Sequence, residues 1–253
     1  MPTFVFPIAG TLFGLIIGSF LATIVIRWPL GQSVVSGRSR CDSCNQQLRA
    51  IDLIPVISYL LRSGKCANCG AAIKSDHLII ELSAGLIGGL ALFVAPGIDG
   101  MLGAIFGWLL LTLAALDAQY HWLPDRLTLI LAVIGLAASA VVDNPDFLNR
   151  LIGGFTGFFA LFLIGWGYRL LRGREGLGGG DPKLLGAIGC WLGWSALPLV
   201  ILGAALTGLL SAAMMRVRGQ AVTTDSALPF GSFMAITAFP LWIIQTMIGV
   251  NLL

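Results

Sequence analysis

Of 253 residues, 57% are hydrophobic and only 11% charged, against roughly a quarter charged in an ordinary soluble domain. That composition excludes a soluble enzyme, and 33 glycines lying inside apolar runs, with 11 prolines, exclude collagen-like and disordered chains. The net charge of +3 is too small to imply a nucleic-acid partner, so charge matters through its distribution. The chain reads as an all-α polytopic membrane protein.

Apolar runs near 4–26, 78–95, 101–117, 127–142, 148–171, 183–194, 196–215 and 229–250 predict about eight transmembrane helices. The run ending before Ser195 is short for a full crossing. The chain divides into a first transmembrane helix (1–27), a polar loop (28–77) and a helical membrane bundle (78–253). The first run lacks the basic flank and small-residue cleavage site of a signal peptide and is expected to remain as a helix. Its Gly10, Gly14 and Gly18 form either a smooth face for close helix packing or a scatter of small residues toward lipid.

With the N-terminus outside, every Lys and Arg except Arg150 lies on the inner side, Arg38 and Lys74 included, while the short external loops carry Asp99, Asp143 and Asp146. This bias sets the orientation of a multi-pass membrane protein, with the long loop in the cytoplasm.

That loop holds Cys41-Asp-Ser-Cys44 and Cys66-Ala-Asn-Cys69, two C-x2-C knuckles 21 residues apart. The spacing resembles a zinc ribbon, in which four thiolates close a tetrahedral shell and leave no position open for catalysis. Two disulfides are the rival reading, disfavoured in a reducing cytoplasm. Cys190, in an apolar run, reads as a packing residue.

Of 12 acidic residues, Asp42, Asp52, Asp76, Glu175 and Asp225 read as solvated charge, Glu81 as compensation for the positive start of its helix, and Asp146 as an N-cap. Asp117 ends an apolar run at a membrane boundary, where an ionisable group is costly and points to function. Asp125 follows Pro124 and reads more readily as a helix start than as a catalytic group. Asp181 follows Gly178-Gly179-Gly180 and precedes Pro182; helix capping is the ordinary explanation, but it does not account for three glycines beside an acid. Neither a preceding strand nor a Gly-Lys-Ser/Thr sequence supports a phosphate-binding loop. The expected topology brings Asp117 and Asp181 to the same face. Two carboxylates there would share one proton, one acting as base toward water and the other as acid toward an amide. Local signals predict that Asp117, at a helix C-terminus, holds that proton, and that Asp181, at a helix N-terminus, is ionised.

These residues together resemble the bacterial type IV prepilin peptidases, the GxGD aspartic membrane proteases. The likeness runs through Ile24-Val25-Ile26-Arg27, Ser39-Arg40-Cys41, Asp52-Leu53-Ile54-Pro55 to Tyr59, the second knuckle leading to Glu81, Leu116-Asp117, Leu123-Pro124-Asp125 and Gly178-Gly179-Gly180-Asp181-Pro182-Lys183. The resemblance implies an endopeptidase that removes the basic leader of type IV prepilins or type II secretion pseudopilins, cutting at the cytoplasmic face after Gly and usually before Phe. It carries the catalytic pair onto Asp117 and Asp181. Retention of the cysteine loop implies the bifunctional type that also N-methylates the new N-terminus from S-adenosylmethionine. Pro182 and Ser75-Asp76-His77 depart from the family's usual residues.

His121 reads as a solvated loop residue, His77 as surplus to four cysteines, and Lys183 as snorkelling to headgroups. Trp28, Trp122, Trp191 and Trp194 read as interface anchors. Two rivals use the same acids: an ion- or proton-coupled transporter, which would place them at the midplane of repeated halves, and a presenilin-like protease, which gives no reason for the cysteine loop. A purely structural assembly component would tolerate replacement of either aspartate.

Overall fold

The computed structural model describes residues 4–34, 40–41, 43–47, 49–73, 75–174, 176–219 and 228–249. Arg38, Ser39, Asp42, Lys74, Glu175 and Asp225 lie outside the described residues. Among those described there are nine α-helices, α1 (Val5–Arg27), α2 (Ile57–Leu61), α3 (Ser75–Val94), α4 (Ile98–Tyr120), α5 (Asp125–Ala137), α6 (Phe147–Arg172), α7 (Asp181–Leu192), α8 (Leu197–Val217) and α9 (Phe230–Ile248), and no strand beyond two isolated bridges.

By length and composition, six of them are candidates to cross a membrane among the described residues: α1, α3, α4, α6, α8 and α9. The other two expected spans are shorter than the sequence suggests. α5 has 13 residues and α7 has 12, about 20 Å and 18 Å at ~1.5 Å per residue, against a hydrocarbon core of about 30 Å. α5 gives way to a 3-10 turn at Ala138–Ala140, and α7 stops at Gly193, whose φ of 76° ends the helix. Every α7 residue but Lys183 is buried, so protein encloses this short helix.

The chain forms two compact units, Met1–Thr112 and Leu113–Leu253, with α4 running through the division. In the first, α1 packs along α3 through its glycines. A Cβ at Gly10 would sit 2.3 Å from the Gly88 carbonyl oxygen, one at Gly14 2.3 Å from that of Ala84, and one at Gly18 2.7 Å from the Glu81 Cα. The close-packing reading of the stripe therefore holds. Trp108 of α4 joins the pair, donating its Nε1–H to the Ala84 carbonyl at 2.9 Å and meeting Phe13 edge to face. Glu81 does not compensate a helix start; it is buried within α3 and its Oε2 accepts the Val56 N–H at 2.8 Å. Val56 is the centre of a γ-turn at φ 62°, closed by Ile57 N–H to Pro55 O at 2.6 Å, a strained conformation for a β-branched residue. The carboxylate thus anchors this turn to α3.

In the second unit α7 is the core, packed by α5, α6, α8 and α9. α6 and α7 meet backbone to backbone: a Cβ at Gly153 would lie 2.4 Å from the Gly189 oxygen, and one at Gly189 2.2 Å from that of Gly153. Trp191 is a core residue and not an interface anchor, its Nε1–H donated to the Leu131 carbonyl at 2.7 Å. Asp146 caps α6 as expected, accepting the Asn149 N–H.

Arg150 is 3% exposed, not a solvated external charge. Its Nε donates to Pro145 O at 2.8 Å, and its Nη1 to Gly135 O at 2.9 Å and Cys190 O at 3.4 Å. One guanidinium thus satisfies carbonyls from the ends of α5 and α7, where the helices leave them without intrahelical partners. Arg150→Met fills similar volume but strands these carbonyls, at about 1–3 kcal/mol for each buried group. The expected result is a lower thermal-unfolding midpoint in detergent, with Arg150→Lys recovering part of the loss.

Candidate active site and thiol cluster

Asp117 lies in the last turn of α4, which His121 ends with φ 49° and an N–H to the Asp117 carbonyl at 2.9 Å. His121 itself is exposed, as expected. The Asp117 side chain is 6% exposed. Its Oδ2 accepts the Ser232 backbone N–H at 2.7 Å and lies 3.0 Å from the Ser232 Oγ. Ser232 is in the first turn of α9, where N–H groups lack intrahelical acceptors and the helix end is partially positive. Asp117 therefore caps, from α4, the start of another helix.

Asp181 is the first residue of α7 and 5% exposed. It does not cap α7 in the expected way; Gly180 takes the N-cap position without a side-chain bond. Instead its Oδ2 accepts the Gly178 N–H at 2.9 Å, while its own N–H donates to the Gly178 carbonyl at 3.1 Å. Close contacts account for two of the three glycines. A Cβ on Gly178 would stand 3.0 Å from the Asp181 Oδ2, and one on Gly180 would stand 2.7 Å from the Leu123 Cβ; Gly179 has nothing within 4 Å. Leu123 also closes on Gly231, where a Cβ would meet its Cδ1 at 2.8 Å and the Asp117 Oδ2 at 3.0 Å. Leu123 thus wedges between the glycine preceding Asp181 and the glycine preceding Ser232.

The two acids act on one another electrostatically. Burial pushes the Asp181 carboxyl up to about 6, the negative charge of Asp117 adds to that rise, and the Gly178 N–H opposes it. The hydrogen-bond donors are distributed the other way from the sequence expectation: Asp117 has two Ser232 donors at one oxygen, while Asp181 has one and is dehydrated. Helix polarity alone suggests the reverse, because Ser232 and Gly231 arrive from more than a hundred residues away and nothing in Pro229-Phe230-Gly231-Ser232 marks them as more than a helix start.

Asp125 is exposed, unlike this buried pair. It opens α5 and binds the Lys183 Nζ at 2.7 Å, so Lys183 is paired rather than merely snorkelling. Both side chains also line an apolar cleft of about 640 Å³ between α5, α6 and α7, together with Ala132, Gly154, Phe158, Ala187 and Cys190 among others. Neither Asp117, Asp181 nor Ser232 lines it.

In the first unit, Cys41, Cys44, Cys66 and Cys69 bring their sulfurs within 4.8 Å of one another, and no disulfide links them. The two knuckles share one design. Cys41 N–H bonds Gln46 O and Cys66 N–H bonds Ala71 O; Asn45 and Gly70, one place after each second cysteine, have φ 56° and 70°; bridges Arg40↔Gln47 and Lys65↔Ala72 close the hairpins. Backbone N–H groups of Cys69 and Asn68 draw the Cys66 thiol down to about 6. A tetrahedral ion with ~2.3 Å bonds to sulfur needs S–S separations of about 3.8 Å; Cys41 and Cys69 are 3.9 Å apart. The donor set therefore fits a closed four-thiolate metal site. His77 stands outside the cluster.

Comparison with known proteins agrees with this division. Residues 12–95 match the bacterial peptidase A24 N-terminal domain and residues 104–213 the type IV leader peptidase family. The chain is 38% identical to a prepilin leader peptidase/N-methyltransferase of Dickeya chrysanthemi over 91% of this chain and 89% of the relative. It is 33% identical to one of Dichelobacter nodosus over 94% and 91%, and 37% identical to one of Burkholderia pseudomallei over 88% and 80%. No solved structure matches. With a carboxylate pair in the segment matched by the peptidase model and a thiol cluster in that matched by its N-terminal companion, the chain belongs to the type IV leader peptidase family.

Proposed function

We propose that the protein is an aspartic endopeptidase that removes the basic leader of prepilins or pseudopilins, with Asp117 as base and Asp181 as acid. One observation carries this: two buried carboxylates in one compact unit, one held by two donors and the other raised by burial and by its neighbour's charge. The proton of the pair sits on Asp181. The Asp117 oxygen not held by Ser232 takes a proton from water as the water oxygen bonds to the scissile carbonyl carbon. Asp181 protonates the carbonyl oxygen, giving a tetrahedral diol. Asp117 then passes its proton to the leaving nitrogen, the C–N bond breaks, and Asp181 regains its proton from the collapsing hydroxyl. Neither a metal nor a covalent intermediate takes part in this sequence.

A substrate with a cationic leader and an apolar helix presents its cleavage point at a membrane surface, which suits acids at helix ends. The Lys and Arg distribution supports the inner membrane and a cytoplasmic active site. The family placement gives no support to a transporter. Incubating detergent-solubilised protein with a prepilin and reading the products by mass should show leader release after Gly; intact substrate beside folded enzyme would overturn the assignment.

The four cysteines are proposed to hold one structural zinc ion that fixes the polar loop of the 28–77 segment. N-methylation of the new N-terminus from S-adenosylmethionine is proposed on the names of the relatives. The 640 Å³ cleft does not fit that donor, because Asp125 and Lys183 are its only charged lining and its walls otherwise offer little to bind an amino acid and a ribose. Transfer of a labelled methyl group to the cleaved product tests this second activity.

A further inference from the structure

We infer that Ser232 is a positioning residue whose hydroxyl changes acceptor as Asp117 changes charge, holding the base in both of its protonation states. The inference rests on the peptidase reading above and adds a residue to it. The Ser232 Oγ has one proton and two acceptors within reach: the Asp117 Oδ2 at 3.0 Å and the Ala114 carbonyl, one turn earlier on α4, at 2.8 Å. Ser232 is 3% exposed, so bulk water does not replace either bond. The backbone N–H, which cannot rotate, stays on Oδ2 at 2.7 Å.

A hydrogen bond to an ionised acceptor is about twice as strong as one to a neutral acceptor. While Asp117 is a carboxylate, the hydroxyl proton therefore points to Oδ2, and that oxygen has two donors. Once the opposite oxygen has taken the proton of water, the negative charge is gone and the hydroxyl turns to Ala114 O. The serine never loses a partner, so neutralising Asp117 strands no buried polar group. Among the described residues, Asp181 of α7 is the charged group that acts on the site, the facing turn Phe230-Gly231-Ser232 of α9 has no titratable side chain, Leu123 is the contact from the α4–α5 loop, and His121 there is exposed.

The test is the pH dependence of kcat for prepilin cleavage by the full chain in detergent, for wild type, Ser232→Ala, Ser232→Cys and Ser232→Thr. Removing a donor to the charged form shifts the acid limb of Ser232→Ala upward by about one pH unit, with KM unchanged, while the alkaline limb stays in place. Ser232→Thr, which keeps the hydroxyl, restores the wild-type limb, and Ser232→Cys, a weaker donor, falls between. Thermal unfolding identifies any variant that fails to fold; should Ala fail, the Cys shift decides. An unmoved acid limb in a folded, active Ala or Cys variant overturns the role of Ser232. Activity retained by Asp117→Asn would instead overturn the peptidase reading itself, so the two failures are distinguishable.

Discussion

Asp117→Asn and Asp181→Asn are each expected to lower kcat/KM for prepilin cleavage by at least about 10³-fold, with the helical circular dichroism unchanged. The two losses have different causes. An amide in place of Asp117 keeps the shape that accepts the Ser232 N–H but cannot take a proton from water. An amide in place of Asp181 can still accept from Gly178 but has no proton of adequate acidity to give to the carbonyl oxygen. Because the groups act as a unit, the double variant should lose little more than either single one. Asp125→Asn is the internal control. It removes an exposed ion pair with Lys183, worth at most about 1 kcal/mol, and should stay within a few-fold of wild type. Full activity in Asp117→Asn or Asp181→Asn would end the assignment.

The same geometry fixes the direction of a pH effect. In the proposed mechanism cleavage needs Asp181 protonated, and its carboxyl is raised to about 6 by burial and by Asp117. As pH rises through about 6 the acid is lost, so kcat/KM should fall on the alkaline side with an apparent value near there, belonging to the pair and not to one residue. Had the proton rested on Asp117, Ser232 would face a neutral acid, and removing its hydroxyl would leave the acid limb alone.

What can be read from the sequence depends on whether a feature is local. The helical membrane class, the two cysteine knuckles, the N-cap at Asp146 and the two membrane-end acids all follow from neighbouring residues. The glycines of α1 are visible as a stripe, but their function is not, because it lies in the carbonyls of Ala84 and Gly88 on α3. Arg150 looks like an external charge because sequence cannot show that three carbonyls from separate segments converge on it. Local polarity favours the proton on Asp117, and what it leaves out is again non-local. The helix ends at each aspartate are legible, but the Ser232 donors to Asp117 come from the start of α9, distant in the chain. α5 and α7 are shorter than their apolar runs suggest because hydropathy does not show where a helix stops: α5 gives way to a 3-10 turn at Ala138 and α7 ends at Gly193.

The largest effect outside the dyad is expected at the thiol cluster. Among its described residues the polar loop has two short hairpins of one bridge each, 3-10 turns at Trp28–Leu30 and Ala50–Leu53, and α2 of five residues, little structure to hold a fold of this size without a cross-link. A structural zinc ion supplies on the order of 10 kcal/mol when its ligands are in place, far more than those hairpins contribute by themselves. Metal analysis of the purified protein should therefore find about one zinc per chain. Chelation, or Cys66→Ser, should expose the segment between Cys41 and Cys69 to limited proteolysis while the helical signal of the bundle persists. Ser is a poor zinc ligand of nearly the same size, so the variant separates loss of metal from loss of packing. Metal-free protein with two intact disulfides and a protease-resistant loop would replace the metal by covalent links. The 3.9 Å between Cys41 and Cys69 suits two ligands of one tetrahedral ion, and all four cysteines are free thiols.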